Sequence, residues 1–338
     1  MLVGHGNDKF KYKTEIKSDF SSNIPNDINH KELYEFLKEN LTSITDYPEP
    51  TAFSIKERLA HLLSLKEENL CITNGATESI YLIAQHFHGS HSCILSPTFS
   101  EYADACRIHK HTVSFVKDLG DIPQDAQIIW LCNPNNPTGD LIGKKEISRL
   151  IRDNMDKIWV IDQSYEALAQ EELLSAEEAA VFPNLLLIHS LTKEYAIPGL
   201  RIGYTTGHGD LIQKIEANQM PWSVNQVAIL AACHLLDHPE LYRRNVSAIF
   251  KERDKVICAL RSIPGLHVAD SRTNFILLEM KERTAASLKD YLVNNHGILI
   301  RDCSNFEGLD EHYFRIAIQT PEENEKLINA VKSWITTE

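Results

Sequence analysis

The chain has 338 residues, 43% hydrophobic and 24% charged, an ordinary globular balance with material for a sizeable core and, by length, about two domains. Its 47 acidic against 34 basic residues give a formal charge of −13, which disfavours nucleic acid and anionic membranes as partners and leaves any anionic ligand to local cations and backbone N–H groups. Met1 runs quickly into Gly4, His5, Asp8 and Lys9 with no signal-peptide pattern, no apolar run is long enough to span a bilayer, and the seven cysteines are scattered without a C-x-x-C pair, so a soluble, reduced, cytoplasmic protein without disulfides or a zinc cluster is expected.

From Leu2 to Pro25 the chain is polar and irregular. Helical apolar spacing follows over Thr51 to Leu65, through Ile55, Leu59, Leu62 and Leu63. Leu70 to Thr73 then predicts a strand that meets a tight turn at Asn74-Gly75 and a helix from about Ala76 to Phe87. The unit repeats. Strand Ser92 to Leu95 ends at Pro97 before a helix over about Ser100 to His109. Strand Ile128 to Cys132 ends at Asn133-Pro134, the helix Lys144 to Met155 leads into strand Ile158 to Ile161 and Asp162, and strand Leu185 to Ile188 ends at Ser190. Unbroken apolar strands alternating with helices predict an α/β fold whose mostly parallel sheet is covered on both faces. From about His234 the rhythm changes: a long charged helix (Glu240 to Leu260), strands over Asn274 to Glu279, Ile298 to Arg301 and Phe314 to Ile318, a helix from Ala285 to Asn294 and a last helix predict a smaller α+β domain.

Open α/β sheets bind ligands beyond the carboxyl ends of their strands. Here five polar signals fall at those ends, at Asn74 to Thr77, Pro97 to Phe99, Asn133 to Gly139, Asp162 to Tyr165 and Ser190 to Lys193, which suggests one shared site. Lys193 lies in a mostly apolar stretch where partial desolvation lowers an amine pKa and favours Schiff-base chemistry, although a solvated position after a strand fits the same residues. Asp162 at a buried strand end calls for a cation or serves as a helix N-cap. Gly75, Ala76 and Thr77 open a helix whose free N–H groups suit a phosphate. No Walker-type lysine loop and no G-x-G-x-x-G follows a strand, so a nucleotide fold is disfavoured. His86, His88 and His91 sit at a helix end without a carboxylate or thiol to complete a ligand set, and a solvated loop without metal is expected there.

Asn136-Pro137-Thr138-Gly139, Asp162-x-x-Tyr165, Ser190-x-x-Lys193 with Arg201, and Arg315 in Phe314-Arg315-Ile316-Ala317 together resemble the fold-type I pyridoxal 5'-phosphate (PLP) enzymes of the class I/II aminotransferase family, over nearly the whole chain. The resemblance implies a large PLP-binding domain (46–233), a small C-terminal domain (234–338) and an N-terminal segment (1–45) packing with the small domain and the active site. It implies that Lys193 carries the cofactor as a Schiff base and moves protons at Cα, that Asp162 keeps the pyridine nitrogen protonated, and that Tyr165 and Asn136 hydrogen-bond the ring oxygen. Phe99 would stack on the ring, where many relatives have Trp or Tyr. Gly75, Ala76, Thr77, Ser190, Thr192 and Arg201 would hold the cofactor phosphate, Tyr47 would reach the phosphate of a neighbouring subunit in a homodimer with shared active sites, and Arg315 would clamp the substrate carboxylate.

Gly4-His5-Gly6, the stretch Asp19 to Asn23, and Gly297 to Leu309 are similar to the threonine-phosphate decarboxylases of cobalamin biosynthesis, although relatives often show His-Gly-Gly where Asn7 follows Gly6 here. That resemblance implies decarboxylation of L-threonine O-3-phosphate, with His5, Asn23, Arg301 and Arg315 as substrate-binding residues. An aminotransferase of the histidinol-phosphate type shares the same cofactor residues and a phosphorylated substrate, and a non-catalytic PLP-binding module is the remaining alternative.

Overall fold

The computed structural model describes residues 6–336; His5 lies outside them. In chain order the strands are β1 (Ser18–Asp19), β2 (Leu70–Thr73), β3 (His91–Leu95), β4 (Thr112–Val116), β5 (Ile128–Cys132), β6 (Ile158–Asp162), β7 (Leu185–His189), β8 (Gly203–Gly207), β9 (Leu266–Val268), β10 (Phe275–Met280), β11 (Ile298–Leu299), β12 (Arg301–Asp302) and β13 (Tyr313–Ala317). Seven of them form one sheet in the order β2-β8-β7-β6-β5-β3-β4, parallel except for β8, which runs against both neighbours.

Alternation along each strand feeds two apolar layers. Trp130, Val160 and Ile188 face the helices Ala76–His86 and Glu101–Ile108, packing with Ile80, Ile83 and Tyr102. Ile129, Leu131, Trp159, Ile161 and Leu187 face the other way, onto Ile147 and Ile151 of the helix Lys144–Asp153. The unbroken apolar runs are therefore strands buried on both sides, as their composition predicts.

A four-stranded antiparallel sheet, β12-β13-β10-β9, carries the helices Val246–Arg261, Ala285–His296 and Pro321–Thr336 over a separate core. The chain is thus α/β with a smaller α+β part. The N-terminal segment ties the two together. Its β1 pairs in parallel with β11, its Phe20 is fully buried in the smaller core, and Leu33 of the helix Lys31–Asn40 packs with the helices Phe53–Leu62 and Gln226–Asp237.

Four expectations are corrected. The helix expected from Glu240 begins at Val246: Pro239–Tyr242 forms a separate 3-10 turn, and the Asn245 side chain accepts from Ala248 N–H as an N-cap, which sets the start. The strand expected over Ile298 to Arg301 changes partner at Ile300, β11 pairing with β1 and β12 with β13. The irregular stretch before Pro25 contains β1. His91 is not in a solvated loop but opens β3, its ring bonded to Asp125 and Ser114 at 3.1 and 3.0 Å. Strand β8 escapes the apolar-run criterion because Thr205 and Thr206 are polar in type yet fully buried, Thr206 Oγ1 meeting His189 Nε2 at 3.0 Å.

Gly203 of β8 allows a close approach between backbone segments. A Cβ there would lie 2.6 Å from the Ala76 nitrogen and 2.7 Å from the His189 carbonyl oxygen. Both are backbone atoms that cannot swing aside, so Gly203→Ala is expected to cost about 1–3 kcal/mol. A thermal melt of the cofactor-free protein tests this, and an unchanged midpoint would refute it. Among the described residues no helix is long and apolar enough to cross a membrane, and all seven cysteines are free.

Candidate active site

Five predicted strand ends open onto one cavity of about 800 Å³. Lys193 stands on the single helical turn Leu191–Glu194 that follows β7. Its Nζ donates to the Ser22 carbonyl at 2.9 Å and lies 5.9 Å from the centre of the Tyr165 ring. Burial, then the positive charges of Arg315 and Arg201, bring its pKa down to about 7, so about half of the amine is in its neutral, nucleophilic form at neutral pH.

Asp162, the last residue of β6, is 4% exposed. Its carboxylate accepts from the Tyr102 hydroxyl at 2.8 Å and from Ser164 N–H at 2.8 Å, and among the described residues it forms no ion pair. Burial pushes its pKa up against those two hydrogen bonds. Tyr102, which no sequence motif singled out, is itself held by stacking on Trp130 at 5.7 Å. The only signal for it was its place three residues after Phe99, whose ring meets it edge-on at 5.8 Å.

On the opposite wall, the helix Ala76–His86 presents its N-terminus after Gly75, which takes φ +80°. A Cβ at Gly75 would lie 2.7 Å from Arg201 Nη2, so glycine lets the guanidinium close over this helix end. Ser190 and Thr192 bring their hydroxyls together at 2.6 Å beside it. Helix N–H groups, two hydroxyls and a guanidinium form a phosphate-binding donor set. With a cation-seeking carboxylate on one side, a low-pKa amine and this cradle on the other, the donor set fits PLP: Asp162 suits the ring N–H, Lys193 the aldehyde carbon and the cradle the phosphate.

The outer part of the cavity is cationic. Arg315 (4% exposed) and Arg301 (5%) are direct register partners on β13 and β12. Arg315 donates to Asn136 Oδ1 and to the Ser21 carbonyl, and its Nε is buried without a partner among the described residues. Arg301 donates to the Asp302 carbonyl and to Asn305 Oδ1 and lies over the Phe306 ring; burial draws its pKa down to about 10. Asn23, fully buried, donates to the Tyr165 hydroxyl at 3.1 Å, and its Oδ1 has no partner among the described residues. Phe99, half-buried, lines the same cavity.

The described members of the expected set therefore converge, with one exception. Tyr47 is 85% exposed, sits against Trp222 at 5.5 Å and does not line this chain's cavity. The sequence reading missed the backbone of Ser21 and Ser22 because carbonyl groups leave no residue-type signature. It also missed Tyr81 and Glu101, joined at 2.8 Å on the cavity wall.

A family model described as aminotransferase class I and II matches residues 15–331. The structure of L-threonine-O-3-phosphate decarboxylase from Porphyromonas gingivalis superposes with a TM-score of 0.92 at 39% identity, covering 94% of this chain and 99% of that one. The threonine-phosphate decarboxylase of Salmonella typhimurium is 30% identical over 94% of this chain and 91% of its own length. The histidinol-phosphate aminotransferase of Clostridium acetobutylicum aligns with a TM-score of 0.84 at 28% identity, covering 94% and 99%.

Proposed function

The chain belongs to the class I and II aminotransferase family, and within it we propose that it is a PLP-dependent lyase converting L-threonine O-3-phosphate to (R)-1-aminopropan-2-ol O-2-phosphate and CO2, a step of cobalamin biosynthesis. The observation that carries this reading is the pairing of Arg301 with Arg315. Residues directly opposite in an antiparallel ladder have Cα atoms about 4.5–5.5 Å apart. Two arginines at directly opposed positions, both buried and both lining one cavity, suit a small substrate whose carboxylate and phosphoester sit on neighbouring carbons. Histidinol phosphate carries one anionic group. The similarity to two threonine-phosphate decarboxylases supports the same choice.

Bound PLP supplies an electron sink for the pair released when a bond to the substrate Cα breaks. The protein's own residues do the rest. Asp162 holds the proton on the ring nitrogen, its carboxylate fixed by Tyr102 and Ser164. Tyr165 and Asn136 orient the ring oxygen, Phe99 covers the ring face, and Gly75, Ala76, Thr77, Ser190, Thr192 and Arg201 anchor the phosphate. Arg315 receives the substrate carboxylate and Arg301, with Asn23 and His5, the substrate phosphate. As the carboxylate leaves as CO2, Lys193 delivers the proton that takes its place at Cα.

The test is turnover of L-threonine O-3-phosphate by the PLP-loaded protein with no 2-oxo acid present. Repeated CO2 release supports the decarboxylase, since a transaminase stops without an amino acceptor. No CO2, with amino transfer from histidinol phosphate once 2-oxoglutarate is supplied, moves the protein to the histidinol-phosphate-type aminotransferases; no turnover in either assay leaves a binding module.

We further propose a cytoplasmic homodimer, to which the seven free cysteines and the exposed Tyr47–Trp222 pair are suited. If Tyr47 donates to the partner's cofactor phosphate, Tyr47→Phe weakens PLP retention about 10- to 150-fold, the worth of one hydrogen bond to a charged group. Dialysis against a PLP scavenger reads this directly, and unchanged retention would remove the shared-site expectation.

A further inference from the structure

The turn that carries Lys193 is too short to satisfy its own backbone. Leu191–Glu194 is one helical turn, and the chain then bends through Ala196 at φ +54°. The carbonyls at the end of such a turn have no helical partner and need donors from elsewhere. Two distant residues supply them. Arg244 Nη2 donates to the Lys193 carbonyl at 3.0 Å and its Nε to the Glu194 carbonyl at 2.8 Å, while His30 Nε2 meets the Tyr195 carbonyl at 2.7 Å. Three consecutive carbonyls, beginning with that of the lysine, are thus taken by side chains from two other parts of the chain.

Arg244 is held in turn. Its side chain is 4% exposed, and Nη1 lies 3.1 Å from Asp27 Oδ1, in ion-pair contact though outside hydrogen-bond geometry. Asp27 and His30 belong to the N-terminal segment. Arg244 belongs to the connection between the 3-10 turn Pro239–Tyr242 and the helix Val246–Arg261. The planar fork of arginine can serve two adjacent carbonyls at once, which an ammonium cannot do in the same geometry. The charges that depress the Lys193 pKa come from Arg315 and Arg201, whereas the contact that Arg244 makes is to the lysine's backbone carbonyl.

We propose that Arg244, locked by Asp27, is a positioning residue that fixes the Lys193 turn and thereby the place of the lysine amine in the cavity. The inference rests on Lys193 being the cofactor-bearing residue. It gives the N-terminal segment a function behind the lysine, distinct from the contacts of Ser21 and Ser22 in front of it.

The experiment compares Arg244→Lys and Asp27→Asn with the parent protein. In the cofactor-free form, hydrogen exchange at the amides of Lys193, Tyr195 and Ile197, which bond to Ser190, Leu191 and Thr192 carbonyls, is expected to speed up about tenfold in both variants, the equivalent of about 1.4 kcal/mol of local opening. In the loaded form, kcat per bound PLP is expected to fall about ten- to hundredfold with KM within about twofold, as a misplaced reacting group does. The pH at which the lysine titrates stays where it is. Unchanged exchange and unchanged kcat per PLP, with only a lower melting temperature, would overturn the proposal, as would a lysine titration moved by more than about one pH unit, which would make the effect electrostatic. Borohydride reduction of the parent protein separates the two levels. A label on Lys193 with normal variants sinks the positioning alone, and no label sinks the cofactor assignment with it.

Discussion

Lys193→Ala protein is expected to retain PLP only non-covalently and to lose turnover by at least about ten-thousandfold, the upper range for a positioned proton-transfer group. The loss has two sources. The attachment point disappears, and so does the one amine among the described cavity residues, which is poised near neutrality. Absorbance of the lysine-linked cofactor and CO2 release check the two separately; a variant with full activity would remove Lys193 from the mechanism. The same substitution has a signature in stability. In the folded cofactor-free protein the amine titrates at about 7, against 10.5 when unperturbed. Between those values the unfolded chain binds a proton that the folded chain does not, so raising the pH from about 7 toward 10.5 stabilises the fold. That contribution is absent below about pH 7 as a pH-dependent term and complete above 10.5. Chemical denaturation across this range should show the parent protein gaining stability relative to Lys193→Ala; parallel curves would mean that the lysine is not desolvated.

Asp162→Asn is expected to lower kcat about a hundred- to a thousandfold while leaving PLP bound, the range seen when one preorganised electrostatic partner is removed. Asparagine has nearly the same shape, and its carbonyl can still accept from Tyr102. What it lacks is the charge. The native carboxylate is buried, its pKa raised by that burial, and two hydrogen bonds hold it with no ion pair among the described residues. In the proposed reading a ring N–H completes it, and an uncharged amide would give that proton no reason to stay. PLP retained at parent levels with parent kcat would show that ring protonation does not depend on this carboxylate. Loss of PLP altogether would instead make Asp162 a binding residue first.

Much of this arrangement is readable in the chain because its parts are local. A strand buried on both faces has to be written as an unbroken apolar run, and Ile128 to Cys132 could be little else. A residue at the carboxyl end of such a strand is delivered to the rim by the fold, so Asp162 and Ser190 announce their neighbourhood by position alone. The contacts that escaped are those made by unremarkable residues over long separations. Tyr102 meets Asp162 from a helix 60 residues earlier, and Arg244 meets Lys193 from 51 residues later, neither in a motif. Strand β8 was hidden because burial can be bought with hydrogen bonds as well as with apolar side chains, as Thr206 shows. The helix expected from Glu240 was misjudged at its start because a run of helix-forming charges says less about where a helix begins than one asparagine cap does.

The pairing of β1 with β11, and of Ser21 with Arg315, has a consequence in time. Ser21 and Arg315 are 294 residues apart. At a synthesis rate of about 5–20 residues per second, the first leaves the ribosome roughly 15–60 s before the second exists. The larger sheet, whose strands are all complete by Gly207, can form in that interval, but the cavity cannot close until nearly the whole polypeptide has emerged. Until then the first two dozen residues have no strand to join, and the nascent chain carries its lysine-bearing turn without the wall that will face it. Newly made protein of this kind meets its cofactor as one of the last acts of its own synthesis.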